Sequence, residues 1–251
     1  MLLKTPVETT NANAPMGDGG LSAAILAMPN LMDWFQADPA HATLVGGKVS
    51  ALNGRKGVRS LAQPDAAFRA PLVEGAINGQ PALENGVAPY AYGLTGTTFP
   101  SQGAWTWAMC VYEEPGDYQW MGGIFESGEM QTGIIRNADD VLRFHNKVGA
   151  GAAEIVIPNG YGRWRLIVVG ASASGVIKAE VDGARLPDAV SDDAMANGAL
   201  VFGALGVAGG AYPFLGGYSD IWLFTADLLA TPGSLEPLRQ YCRHVYGIGV
   251  A

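Results

Sequence analysis

The chain predicts an all-β fold, an antiparallel sandwich of two sheets, and three observations carry that expectation. Seven Asn-Gly or Asp-Gly dipeptides punctuate the 251 residues, and most fall between short apolar runs, where such pairs make two-residue hairpin turns. The runs themselves alternate: from Ala104 to Tyr112, Trp105, Trp107, Met109 and Val111 share one face, and Ala104, Thr106, Ala108, Cys110 and Tyr112 the other. Glycine reaches 35 residues, about twice its usual share of ~7%. Turns spaced this closely leave no room for the crossover helices of a parallel sheet.

Met1 to Asn30 is rich in Thr, Asn, Pro and Gly, shows no strand or helix period, and reads as an extended arm. Such a segment orders only against something else, either a neighbouring subunit or its own domain. From Leu31 apolar residues surround Trp34, and Lys48 to Leu52 alternates before the Asn53-Gly54 turn. Ile77-Asn78-Gly79 and Asn85-Gly86 mark turns ahead of the Ala104–Tyr112 strand, which stops at Glu113-Glu114-Pro115-Gly116-Asp117. Two hairpins are expected next, Gln119 to Glu126 with Gly133 to Arg136, and Val141 to His145 with Glu154 to Ile157. Arg163 to Ala171 and Gly175 to Val181 form another, with Asp182-Gly183 as the turn into Ala184-Arg185-Leu186. Ala199 to Phe202 and Phe214 to Phe224 close the strand series around a glycine-rich crossing, Gly203 to Gly210. Leu238, Tyr241, Cys242 and Val245 then recur at helical spacing. They predict a helix over Leu235 to Tyr246, with Ser234 as its N-cap and Gly247 as its stop.

A net charge of −8 with only 15 scattered basic residues excludes a nucleic-acid partner, which needs clustered Lys and Arg. No apolar run approaches the ~20 residues of a spanning helix, so no membrane partner is expected. The apolar patch Leu21 to Met28 lacks the basic flank of a secretory leader. Cys110 and Cys242 are too few for a disulfide framework and read as two buried thiols or as one bridge between a strand and the C-terminal helix.

No catalytic residue, cofactor or metal is predicted. The alternating carboxylates of a strand-borne glycanase site are missing, no nucleophile motif accompanies His41, His145 or His244, and no His/Cys spacing suits zinc. Six aromatic residues in or beside predicted loops, Tyr90, Tyr92, Tyr118, Trp120, Tyr161 and Tyr212, are candidates to stack on a sugar ring. The same residues would equally suit sandwich edges or a subunit interface.

Several motifs occur in a set order: Trp34, Ala37 and Asp38; Ile77-Asn78-Gly79 with Pro81; the Trp164 strand followed by Val181-Asp182-Gly183; and the closing strand and helix. From Leu31 to about Gly249 this order resembles a concanavalin A-like, laminin G-like jelly roll. The resemblance implies residues 1–30 as an arm and 31–251 as one jelly-roll domain with a short C-terminal helix. Glu84-Asn85-Gly86 stands where such domains usually have Phe-Asp-Gly, which removes one carboxylate from any calcium site there. Jelly rolls with a short arm and no catalytic set resemble accessory proteins of tailed bacteriophages: capsid decorations, head fibres or tail-associated domains. On that likeness the chain is expected to be a non-enzymatic virion structural protein and a homo-oligomer. Its arm, through Leu2, Leu3, Pro6, Val7, Pro15 and Met16, would be held by other virion proteins, and the sandwich would face a host-surface polysaccharide. The alternative is a carbohydrate-binding module of a bacterial polysaccharide-interacting protein.

Overall fold

The structure, a computed structural model, describes residues 18–85, 92–95, 99, 103–116, 118–126, 129–146, 153–191, 199–203 and 213–250. Among these, eighteen strands follow in chain order: β1 (Leu31–Gln36), β2 (Ala42–Val45), β3 (Lys48–Asn53), β4 (Ser60–Ala62), β5 (Leu72–Ile77), β6 (Gln80–Asn85), β7 (Tyr92–Leu94), β8 (Trp105–Glu113), β9 (Gln119–Glu126), β10 (Glu129–Arg136), β11 (Leu142–Asn146), β12 (Ala153–Ile157), β13 (Trp164–Ala171), β14 (Val176–Val181), β15 (Ala184–Arg185), β16 (Ala189–Val190), β17 (Ala199–Phe202) and β18 (Gly216–Phe224). Helix α1 (Leu21–Leu26) precedes them and helix α2 (Glu236–Tyr246) follows.

The strands make two antiparallel sheets. The first runs β15-β14-β13-β8-β18-β6-β5, with β1 also pairing β18 and β16 pairing β14; the second runs β12-β11-β10-β9-β17-β7-β4-β3-β2. The expected all-β sandwich is therefore what the chain forms. Two hairpins turn where the sequence places them, at Asn78-Gly79 (φ 46° and 78°) and Asp182-Gly183 (φ 49° and 83°), in the left-handed conformation that a tight hairpin demands.

Alternation along the first sheet feeds two cores. Trp105, Trp107, Met109 and Val111 of β8 point between the sheets, where Phe144, Ile167, Phe202 and Leu223 meet them. Ala108 and Cys110, with Leu166, Val168, Trp222 and Phe224, point outward into a second core beneath Leu238, Tyr241, Cys242 and Val245 of α2. Trp34 and Trp222 pack with ring centroids 5.8 Å apart, and Tyr241 meets Trp34 edge-on at 5.2 Å. Each large apolar side chain buried this way contributes about 1.5–3 kcal/mol.

Two boundaries differ from expectation. The arm does not extend to Asn30: α1 sits on the domain, with Ile25 fully buried and Met28 nearly so in the second core. Leu21, Ile25 and Met28 recur at helical spacing, and Asp18 accepts hydrogen bonds from the N–H groups of Gly20 (3.0 Å) and Ser22 (3.1 Å). Leu2, Leu3, Pro6, Val7, Pro15 and Met16 lie outside the described residues. At the other end Leu235, not Ser234, is the N-cap of α2. The Ser234 hydroxyl turns back to the Leu228 and Thr231 carbonyls of the preceding turn. Gly247 (φ 66°) closes α2 as predicted.

Two polar features lie inside the second core. Cys110 and Cys242 are free thiols with sulfurs 3.2 Å apart, so of the two readings the pair of buried thiols is the one observed. Burial, then the neighbouring Cys242, pushes the Cys110 thiol well up. Asp220 accepts from Trp34 Nε1, the Tyr246 hydroxyl and Ser219 Oγ, which ties β18 to both β1 and the end of α2. Burial raises its carboxyl to about 7 against the pull of those three donors and Arg55.

Two measurements follow. A folded pKa above the unfolded one means that the protein holds an extra proton when folded. The stability this adds is complete below about pH 4 and is lost as pH rises through about 7, with an upper bound of roughly 4 kcal/mol. The melting temperature should fall between about pH 5 and about pH 8, and Asp220→Asn should flatten that slope. Both thiols should resist an aqueous thiol reagent in the native protein and react promptly in denaturant, since burial keeps the reagent from either sulfur.

Candidate functional site

Helix α2 does not cover the whole outer face of the first sheet. Strand pairing arranges that face in rows. Val168, Ala108, Trp222 and Trp34 form one, and Leu166, Cys110, Asp220 and Gln36 the next; both lie in or beside the helix-covered core. A bulge in β18 between Tyr218 and Asp220 then resets the register. The following row is Trp164 of β13, Tyr112 of β8, Gly217 of β18 and Glu84 of β6. Of its members only Trp164 packs against the second core, at its margin.

Gly217 makes this row a trough. A Cβ there would sit 2.8 Å from the Leu83 carbonyl oxygen and 3.1 Å from Trp164 Cη2, so the indole lies across the glycine. Gly216 beside it has φ 144°, and a Cβ would come within 1.9 Å of the Tyr112 carbonyl oxygen. The Tyr112 and Trp164 rings stand 5.7 Å apart, tilted at 49°. Together with Ala76, Glu84 and Glu114 these residues line a groove of about 440 Å³. Tyr112 and Trp164 are half-buried, whereas Glu84 and Glu114 are exposed. Desolvation, then the charge and hydrogen bond of Glu114 and the charge of Glu84, push the Tyr112 hydroxyl up.

The strand ends that carry these groups are anchored from inside. Glu113 is fully buried between the sheets and binds Arg136 at 2.7 Å and Arg165 at 2.5 Å. Gly160 permits this, since any Cβ there would strike the Arg165 side chain at 2.1 Å. Glu114 N–H donates to the Leu215 carbonyl (3.0 Å), and Gln119 Nε2 donates to the Glu114 carbonyl (2.9 Å). The backbone on both sides of the groove is thereby fixed.

The sequence-predicted aromatics lie elsewhere, and two of them are corrected. Tyr92 is in the inter-sheet core, where its hydroxyl donates to Val49 O (2.9 Å) and accepts from Ala70 N–H (2.8 Å). Trp120 is fully buried on β9. Neither ring can meet a sugar. The strand of Trp120 starts at Gln119 as expected, and the indole Nε1 donates to the Val201 carbonyl of the adjoining β17 (3.4 Å). Tyr161 has one face under the Arg136 guanidinium at 4.3 Å, and its hydroxyl donates to Asp140. Tyr118 is 47% exposed in the segment that follows Glu114. Tyr90 and Tyr212 lie outside the described residues. Tyr112 and Trp164 were visible as aromatics on strands, but only the register between β8, β13 and β18 brings them together.

A second groove, of about 470 Å³, lies beside α2 near Asp38, Arg55 and Glu74. Its polar groups largely satisfy one another: Asp38 holds His41 Nδ1 at 2.8 Å, and Arg55 donates to Ser22 and Gln36, both at 3.1 Å. Its one aromatic, Tyr241, is buried. No cluster of three or more His, Cys, Asp or Glu suited to a metal ion occurs among the described residues.

The same fold occurs in solved structures. Trypanosoma rangeli sialidase in complex with 2,3-difluorosialic acid is similar over 85% of this chain and 33% of its own, at TM-score 0.56 and 11% identity. The botulinum neurotoxin serotype D binding domain is similar over 84% of this chain and 50% of its own, at TM-score 0.57 and 10% identity. Its complex with N-acetylneuraminic acid gives TM-score 0.58 at 8% identity. The chain thus spans about a third of the sialidase and half of the toxin domain, and at these identities the likeness concerns the β-sandwich fold. No family model and no curated protein sequence matches the chain.

The groove geometry can be checked by quenching. Trp34, Trp105, Trp107, Trp120 and Trp222 are fully buried, so emission quenched by acrylamide should belong to Trp164. Gly217→Val should lift the indole off the sheet and increase that quenching, at about 1–3 kcal/mol of overpacking. Unchanged quenching would mean that the ring does not lie over the glycine.

Proposed function

We propose that this chain is a glycan-binding domain and that the groove beside Trp164 and Tyr112 receives a sugar ring. The observation that carries the reading is the in-register row Trp164, Tyr112, Gly217 and Glu84. It sets two aromatic faces and a carboxylate around a trough of about 440 Å³ at the open end of a rigid sheet. A pyranose has an apolar C–H face and a rim of hydroxyls. An aromatic ring matches the first and acidic acceptors the second. The trough is also within the usual size of a small-ligand site, ~300–1,000 Å³. Support from the comparisons is of the same kind: the toxin domain of this fold was solved with N-acetylneuraminic acid and the sialidase with sialic acid.

The reading is of binding without turnover. A glycosidase working near neutral pH needs one carboxyl taken out of water to serve as general acid. Glu84 and Glu114, the two at the groove, are both exposed. A virion setting, as the sequence suggested, would use the same glycan-facing end of the sandwich; the arm residues on which that setting rests are outside the described ones.

Screening the full chain against an array of neutral, acidic and basic oligosaccharides tests the proposal. Trp164→Ala should weaken any specific binding by about tenfold or more, the loss expected when ~1.4 kcal/mol or more of stacking is removed. The melting temperature should change little, because Trp164 is at the margin of the core. Binding indifferent to Trp164→Ala would place the ligand elsewhere. Product release abolished by Glu114→Gln would instead make the chain a hydrolase.

A further inference from the structure

The groups lining the groove also select a class of sugar. Building on the glycan-binding reading, we propose that the preferred ligand is an amino sugar with a free, protonated amine, as in a deacetylated hexosamine oligomer, rather than a neutral or acidic sugar.

The polar side chains at the groove are two carboxylates, Glu84 and Glu114, and one phenol, Tyr112. A carboxylate only accepts hydrogen bonds and an ammonium only donates, three times over, so the two complement each other with charge assistance. Hydroxyls can donate to the same oxygens, but with neutral donors and hence more weakly. The Trp164 and Tyr112 rings add a second attraction that only a cation feels, because the aromatic face is the negative end of a quadrupole.

No lysine, arginine or histidine lines the groove among the described residues. The nearby guanidinium groups are committed to other acids, Arg165 and Arg136 to Glu113 and Arg163 to Asp182 at 3.2 Å. An acidic sugar would therefore bring its carboxylate toward two others with no compensating cation, on a chain whose net charge is −8. The fold-level neighbours that bind sialic acid do not predict this preference. It comes from the residues on this sheet.

The test is a titration of the full chain, read by calorimetry, with four probes of matched length where possible: an oligomer of glucosamine, its N-acetylated counterpart, a cello-oligosaccharide and sialyllactose. At about pH 6 the glucosamine oligomer should bind about tenfold tighter than either neutral oligomer, and sialyllactose weakest. The preference should vanish at about pH 9, where the amine is neutral, and in the Glu84→Gln/Glu114→Gln protein; Trp164→Ala should weaken binding of every probe by about tenfold or more. Equal or tighter binding of a neutral or acidic probe, still weakened by Trp164→Ala, overturns the amino-sugar inference and leaves the glycan-binding reading standing. Cationic binding that is indifferent to Trp164→Ala is adhesion to an acidic surface and overturns the inference as well. Failure of all four probes, together with a silent array, defeats the glycan-binding reading itself.

Discussion

The first sheet is a wall shared by two cores, and the rest of the structure depends on that sharing. Strand β8 has its inward side chains against the second sheet and its outward ones beneath α2. A sheet of this kind must carry apolar residues on both faces where it is covered, and can turn polar only where cover ends. The cover on the outer face runs through Tyr246, whose hydroxyl reaches Asp220, and on to Ile248 and Val250 beyond the helix. One row further on from Asp220, Trp164 and Tyr112 are half-buried and Glu84 meets water, with Gly217 buried beneath the indole. The groove thus lies where the second core stops: Leu166 and Cys110 belong to that core, and of the next row only Trp164 packs against it.

Much of the scaffold was legible because its signals are local. The alternation of Trp105, Trp107, Met109 and Val111, the Asn78-Gly79 and Asp182-Gly183 turns, and the 3.6-residue recurrence of Leu238, Tyr241, Cys242 and Val245 each state their own geometry. Two local signals were passed over. Leu21, Ile25 and Met28 have helical spacing inside a segment dominated by Gly and Pro, and Gly46-Gly47 (φ 62° and 78°) turns β2 into β3 as an Asn-Gly pair would. In both cases composition hid periodicity.

The candidate site was not legible, for a different reason. Its four row members come from positions 84, 112, 164 and 217, on strands whose neighbours in space are far apart in sequence. Nothing local says that Trp164 faces Tyr112 rather than Cys110. A shift of one residue would send the pair to opposite faces. Trp120, picked from the sequence, is lost for a related reason: its indole is covered by the neighbouring strand and donates to the Val201 carbonyl of β17. Aromatic content is visible in the sequence, whereas register decides which rings stand side by side.

Buried polarity on the two sides of the wall divides the work between holding and choosing. Between the sheets, Glu113 is tied to Arg136 and Arg165, a costly arrangement to bury and costlier to break, since losing one partner strands a charge. It fixes the end of β8 one residue before Glu114 and one after Tyr112. On the outer side, the groups next to it, Tyr112 and Glu114, meet solvent and contribute little to that network. Their identities can therefore vary with the ligand while the anchor keeps their backbone in place. At identities of 8–11% the β-sandwich scaffold is shared with a sialidase and a toxin domain, so what is common to them is the fold and not the residues displayed on it.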